Sequence, residues 1–307
     1  MIKLKQKTSD NIFVACLLVV PIGYFLVFWL YVNIDSILLA FQNDMTGEWG
    51  FSNFERFFTQ FSRDWENDAT IKFAIENTFI TAFLSMFICE PLVVFTAYVL
   101  YKKYFGHMFF RVIFYIPGII GTVVVTIMLK HILSATGPVV IWGSKLGINW
   151  GNGVLQSGLL NNDSTARATF HITAVLAMSG QSILLLTGAY QKIPTDLFDV
   201  GKLEGTGMLG EFVNLILPCS WSTIGIMWLM TFASVWGNYN RVMLLTDGGY
   251  RTNNFAYYLF ASSLNATQGE ESYNYPAAIG LLLTVVVVPI TLFLRWLSSK
   301  LVPDVEF

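Results

Sequence analysis

Residues Ile193–Pro218 read IPTDLFDVGKLEGTGMLGEFVNLILP, a polar stretch between two long apolar segments. It carries four acids, Asp196, Asp199, Glu204 and Glu211, and Lys192 and Lys202 add basic charge. Its order is an amphipathic piece, then a glycine hinge at Gly205 and Gly207, then a proline stop. Pro194 suits a first helical turn, where a missing N–H costs nothing. Leu197, Val200 and Leu203 recur every third residue and share one helical face, while Asp196, Asp199 and Lys202 point elsewhere. Gly205 and Gly207 end the helix, because glycine tolerates the left-handed backbone that a helix stop favours.

Outward from this stretch the chain is apolar. It has 307 residues, 54% hydrophobic and 12% charged, with a mean hydropathy of +0.57. Soluble domains carry about 25% charged residues, so the composition is that of a polytopic membrane protein. The net charge of −2 leaves no electrostatic footprint for nucleic acid. Cys16, Cys89 and Cys219 are scattered in or beside apolar segments and read as small buried hydrophobes. The N-terminal apolar run is longer than a signal-peptide core and lacks a small-x-small cleavage site, so it reads as a retained span.

Six segments reach the roughly 20 residues needed to cross a bilayer. They are Ile12–Leu39, Phe79–Tyr101, Phe109–Leu133, Phe170–Tyr190, Cys219–Gly237 and Ala277–Leu297. Segments 1–10, 102–111, 191–217 and 295–307 hold ten Lys/Arg; the longer loops 43–72, 134–169 and 238–275 hold seven, with ten acids. Basic density therefore predicts both termini inside, and it places the 193–218 loop in the cytoplasm. The expected fold is an all-α polytopic membrane protein with six transmembrane helices. It divides into 1–72, a first span with an aromatic outer loop, 73–300, a permease core, and 301–307, a cytoplasmic tail.

The 193–218 loop resembles the signature loop of ABC importer permeases: Glu-Ala-Ala, three residues, Gly, nine residues, Ile, one residue, Leu-Pro. Asp199-Val200-Gly201 stands at the Glu-Ala-Ala place, Gly205 is the glycine, Leu215 stands for the Ile, and Leu217-Pro218 closes the motif. Asp199 is one methylene short of Glu, and Gly201 replaces a good helix former at up to about 1 kcal/mol. Further elements resemble the sugar-importer branch of that family. They are SNFERFF from Ser52, IENTFIT (Ile75–Thr81), FFRVIFYIPGIIGTVVV from Phe109, LLTDGG (Leu244–Gly249) and YPAAIG (Tyr275–Gly280). The resemblance covers nearly the whole chain.

It implies a type I ABC importer permease of the binding-protein-dependent, maltose/glycerol-phosphate type, multi-pass in a bacterial plasma membrane. This chain would be non-catalytic and bind no cofactor; ATP and Mg would sit on a partner ATPase. Partners would be a second homologous permease, two ATP-binding subunits, an extracellular solute-binding protein and the lipid bilayer. The loop would be the coupling helix, with Asp196, Leu197, Phe198, Asp199, Gly201, Lys202, Leu203 and Gly205 meeting the ATPase. An ABC permease for a polyamine, amino acid or peptide is the nearer alternative, which LLTDGG and YPAAIG argue against. An ion-coupled secondary transporter is more remote, since such proteins often show repeats and several intramembrane charges.

The chain contains no G-x-x-x-x-G-K-[ST] and no G-x-S-x-G, and His107, His131 and His171 have no ligand-spaced neighbours. Glu90, in MFICEPLVV, is the acid within a span. It either serves the substrate or gate, or is protonated or paired with a polar residue of a neighbouring span. Two places mix amides with aromatics as a sugar site requires. They are Ser179–Ser182 (SGQS), with Gln181 and Ser182, and the segment Trp236, Asn238 and Tyr239 after the fifth span. The competing readings are helix-to-helix glue for the first and an interfacial aromatic belt for the second. Phe54, Phe57, Phe58 and Phe61 form a helical stripe on the first outer loop, and a short surface helix is predicted near Pro138–Lys145.

Overall fold

The structure is a computed structural model that describes residues 2–43, 46–104, 106–150, 153–176, 180–268 and 272–301. Ser179 of the SGQS candidate site and the 302–307 part of the tail therefore lie outside the described residues. Helices carry the fold. The principal ones here are α1 (Phe13–Ala40), α2 (Ser52–Glu66), α3 (Thr70–Tyr101), α4 (His107–Ile119) and α5 (Thr122–Ile132). They continue with α6 (Pro138–Lys145), α7 (Ala166–Leu176), α8 (Gly180–Tyr190) and α9 (Thr195–Leu203). The chain ends through α10 (Met208–Val235), α11 (Asn240–Leu245), α12 (Phe255–Thr267) and α13 (Asn274–Leu301).

Among the described residues five helical stretches are long and apolar enough to cross a membrane: α1, α3, Ala166–Tyr190, α10 and Asn274–Lys300. The third expected span, Phe109–Leu133, is not one helix. It is α4 and α5, separated at Ile120 and Gly121, whose extended ψ angles are 127° and 141°. Pro117-Gly118 in the sequence predicts a break or bend at this place. The chain instead stays helical through both and opens three residues after the proline.

Proline does act on two other helices. Pro91 and Pro218 follow wider, π-type winding at Ser85–Cys89 and Phe212–Ile216; similar winding at Phe25–Tyr31 lies downstream of Pro21. Proline has no N–H for the i−4 carbonyl and its ring crowds that carbonyl. One widened turn upstream relieves the crowding and keeps the helix continuous.

The chain packs as two compact units, residues 1–60 with 261–285 and residues 61–260 with 286–307. In the first, none of the side chains from Phe13 to Leu38 is buried. The buried Asn53 fixes the turn after α1, its Nδ2 donating to Ala40 O at 3.1 Å and Gln42 O at 2.9 Å. Of the phenylalanine stripe on α2, Phe57 is buried and Phe58 is exposed.

In the second unit, α3, α8 and α10 share a core of Val93, Val94, Ala97, Tyr98, Ile183, Leu186, Tyr190, Ile224 and Met227. Close approach of α4 to α8 depends on two glycines. A Cβ on Gly118 would lie 3.2 Å from Gln181 N, and one on Gly180 would collide with Phe114 O. A second core holds α6, α7 and α11 together through Leu133, Val140, Val154, Phe170, Val242 and Leu245.

Candidate functional site

Two sites matter, and both belong to the second unit. The first is the α9 loop. Pro194 sits one residue before the helix, as its N-cap, and the helix starts at Thr195. Gly205 closes the other end with φ +76°. Gly205 N–H donates to Lys202 O at 3.1 Å and Thr206 N–H to Gly201 O at 3.0 Å. These two bonds form a Schellman stop, which satisfies carbonyls that a helix end leaves unpaired. Thr206 Oγ1 donates a third bond to Gly201 O at 2.6 Å. A Cβ on residue 201 would lie 3.0 Å from that hydroxyl. The glycine that weakens the helix by propensity thus makes room for its cap.

Phe198 is buried and ties α9 down. Its ring lies 6.0 Å from that of Tyr101, and Lys102 Nζ lies 4.4 Å above it. Lys102 also pairs with Glu211 at 2.5 Å, and Tyr98 Oη donates to Glu211 Oε1 at 3.2 Å. The expectation that Phe198 meets the ATPase is corrected here: the side chain is already enclosed by its own subunit. Leu197 packs against the same core. Val200 and Leu203 are left outside, Leu203 being 89% exposed. The expected common face of Leu197, Val200 and Leu203 therefore splits between core and surface. Asp199 accepts a hydrogen bond from Lys202 Nζ at 2.8 Å, with both side chains largely exposed. That bond pushes the Lys202 ammonium above its usual range. Asp196 lies on the first turn, where a carboxylate complements the helix dipole.

The second site is a polar knot at the other end of α10, a 28-residue helix spanning about 42 Å at 1.5 Å per residue. At its centre is Asn77, fully buried on α3. Asn77 Nδ2 donates to Arg251 O at 2.9 Å and Asn253 O at 2.8 Å. Its Oδ1 accepts from Arg167 Nε at 2.8 Å and lies 3.3 Å from His171 Nε2. Arg167 also pairs with Glu76 at 2.5 Å. At the next residue of α3, Phe255 N–H donates to Thr78 Oγ1 at 2.9 Å. Asn254 Nδ2 donates to Asn238 O at 2.9 Å, so segment 251–255 is fastened to both α3 and the end of α10.

Beside the knot lies a cavity of about 70 Å³ lined by Thr81, Ser85, Phe170, Ser234, Val235, Asn238, Arg241 and Asn254. This is room for ordered water or a small polar group. Asn238 is thus placed on a polar cavity. Trp236 is buried, edge-on to Phe79 at 5.5 Å, to Phe232 at 5.9 Å and to Phe255 at 6.4 Å, with Nε1 unpartnered. Tyr239 stacks on Phe260 at 4.3 Å. Both rings are thus engaged by other aromatics. Gln181 is exposed and Ser182 half-buried on α8 beside α4, and neither lines this cavity. Glu90 is buried on α3. Thr231 Oγ1 of α10 donates to its Oε1 at 2.5 Å, and Oε2 has no partner.

Sequence reasoning passed over Asn77, Arg167, His171 and Arg241. Asn77 lies inside IENTFIT, and His171 has no ligand-spaced neighbour in the sequence. Their partners lie about 90 to 176 residues away, so no local pattern marks them. Among the described residues no three His, Cys, Asp or Glu side chains gather as a metal site.

No protein-family model matches the chain. It is 24% identical over 195 residues to the multiple sugar-binding transport system permease protein MsmF of Streptococcus mutans, covering 64% of each. It is also 24% identical over 299 residues to the arabinooligosaccharides transport system permease protein AraP of Bacillus subtilis, covering 90% of this chain and 85% of that one. Against MsmF and the probable ABC transporter permease YurN of Bacillus subtilis, the chain spans less than two thirds of the relative's length. Among solved structures it is similar to a chain of a bacterial alginate ABC transporter in complex with a pentasaccharide-bound periplasmic protein. The TM-score is 0.80 at 20% identity, covering 98% of this chain and 99% of that one.

Proposed function

We propose, from the premise that this multi-pass membrane protein has an ABC importer permease fold and relatives named as sugar permeases, that it is the transmembrane subunit of a carbohydrate importer. Import is driven by ATP and fed by a binding protein, and the cell is bacterial. The chain does no chemistry itself. A second permease completes the pathway, two ATPase subunits supply the work, and an outer solute-binding protein delivers the sugar.

The observation that carries this reading is the build of α9. It is capped at its C-terminal end, anchored from within by Phe198, and presents Val200 and Leu203 outward. An exposed leucine on a rigidly held helix has no use within this subunit's own core. It suits a cleft in a motor subunit. Asp196, Asp199 and Lys202 surround the apolar contact with charge, Gly201 and Gly205 shape the stop, and Leu197 and Phe198 link α9 to α3. ATP-driven closure of the motors would move α9, and through the Phe198–Tyr101 and Lys102–Glu211 contacts the ends of α3 and α10. The permease shifts between its two states only by the differential free energy the motors supply. Glu90–Thr231 joins the same two helices within the membrane and would move with them.

The test is substrate-stimulated ATP hydrolysis by the reconstituted complex. Leu203→Asp places a carboxylate in the apolar contact, and Asp199→Arg reverses the rim charge. Each is expected to lower stimulated hydrolysis on the order of tenfold, about 1.4 kcal/mol of coupling. Undiminished stimulation in both variants contradicts the reading.

A further inference from the structure

We propose that Arg241 anchors a carboxylate of the transported saccharide, so that the substrate is an acidic sugar such as a uronate oligomer. The inference rests on the importer reading above. Arg241 opens α11 and faces the cavity lined by Thr81, Ser85, Phe170, Ser234, Val235, Asn238 and Asn254. Among the described residues no carboxylate pairs with it and no hydrogen bond reaches it. Cys89 and His171 lie within its electrostatic range and supply no fixed negative charge.

Three other cations of this unit's outer end are provided for. Arg167 has Glu76 and Asn77, Lys130 Nζ donates to Leu244 O at 2.9 Å, and Lys72 has Asp68. The nearest buried acid within the spans, Glu90, is spoken for on one oxygen by Thr231. A guanidinium remains protonated, and Arg241 is half-buried, so withdrawing it partly from water without a counter-charge is costly. Burial indeed pulls this one below the usual guanidinium range. The cost is recovered when an anion arrives. A guanidinium presents a planar fork that takes a carboxylate on two parallel bonds. The hydroxyls of Thr81, Ser85 and Ser234 and the amides of Asn238 and Asn254 give a sugar ring's hydroxyls partners around that fork. The cavity's size fits the acidic group of a sugar and the hydroxyls beside it, with the rest of the ring lying outside it.

The test uses the full complex, co-expressed with its cognate subunits and reconstituted. It is challenged with uronate oligosaccharides, with the same oligosaccharides after carboxyl reduction to neutral sugars, and with sugar phosphates. Stimulated hydrolysis and uptake are read for wild type, Arg241→Gln and Arg241→Lys. Uronates are expected to be preferred over their reduced counterparts, and Arg241→Gln to shrink that preference on the order of tenfold or more. Arg241→Lys, which keeps the charge and loses the fork, is expected to fall between them. A wild-type preference that Arg241→Gln leaves intact overturns the proposal. So does an equal loss for uronate and neutral sugar, which would make Arg241 a partner to a subunit's acid. A response to sugar phosphates alone overturns the carboxylate. A response to neutral sugars alone removes the anion site and leaves the importer reading standing, whereas no response to any saccharide removes both.

Discussion

Asn77 shows how much one buried side chain can hold. Its amide satisfies two backbone carbonyls of the 251–253 turn and accepts from Arg167, with His171 alongside. The chain enters that turn through Tyr250 and Arg251 at φ +53° and +57°, left-handed backbone that non-glycine residues adopt only when held there. Asn77→Ala removes the amide and leaves several buried groups without partners. The expected loss is about 3 kcal/mol, read as a lower melting temperature of the detergent-purified protein. A melting temperature within error of wild type would show that water replaces the amide. At the same scale, Tyr257 Oη donates to Asp247 Oδ1 at 2.7 Å, and burial with this bond pushes the phenol up to about 12. It therefore stays a donor throughout the physiological range.

At the scale of elements, two glycine positions carry opposite arguments. Gly205 has nothing within 4 Å of where a Cβ would be, but its φ is +76°. Gly205→Ala costs backbone strain only, about 1 kcal/mol. Hydrogen exchange of the α9 amides is expected to rise about fivefold, with the rest of the second unit unchanged. Protection of α9 equal to wild type would mean the Schellman stop is dispensable. Gly180 has an ordinary backbone and no space. Gly180→Ala drives a methyl group into Phe114 O and forces α8 away from α4, at about 1–3 kcal/mol. Thermal unfolding of the purified chain measures it, and an unchanged transition would place the two helices farther apart than described. The π-type turns beside Pro91 and Pro218 belong here too. Each lets a proline sit inside a membrane helix without stopping it.

For the whole molecule, the decisive feature is how much apolar surface has no cover. The side chains of α1 are exposed from Phe13 to Leu38, and α4 and α5 expose Phe109, Ile113, Val123, Val124 and Ile127. Lipid accepts such a surface. A transport pathway additionally needs a second wall. The importer reading therefore expects a pseudo-symmetric pair with a homologous permease. Native mass spectrometry of the complex is expected to find one copy of this chain, one second permease and two ATPase subunits. Two copies of this chain with no other permease would contradict that arrangement.

Much of this was written in local sequence. Hydropathy runs of about 20 residues give spanning helices, because the bilayer forces backbone groups to pair within each segment. The α9 loop was legible for a similar reason: a helix stop at Gly205, α6 beginning at Pro138, and a motif of fixed spacing are all short-range chemistry. What stayed hidden depends on residues distant in the chain. Periodicity offered Leu197, Val200 and Leu203 as one face, yet the packing of α3 against α9 takes Phe198 and Leu197 inward and leaves Val200 and Leu203 out. Composition marked Trp236 and Tyr239 as a sugar platform, yet Phe79, Phe232, Phe255 and Phe260 already occupy their faces and edges. Pro117 marked a break that the backbone placed at Ile120. Arg241 looked like one more loop cation. Only the tertiary structure set it beside a polar cavity with no acid, because pairing is decided by which helices meet and not by which residues are neighbours in sequence.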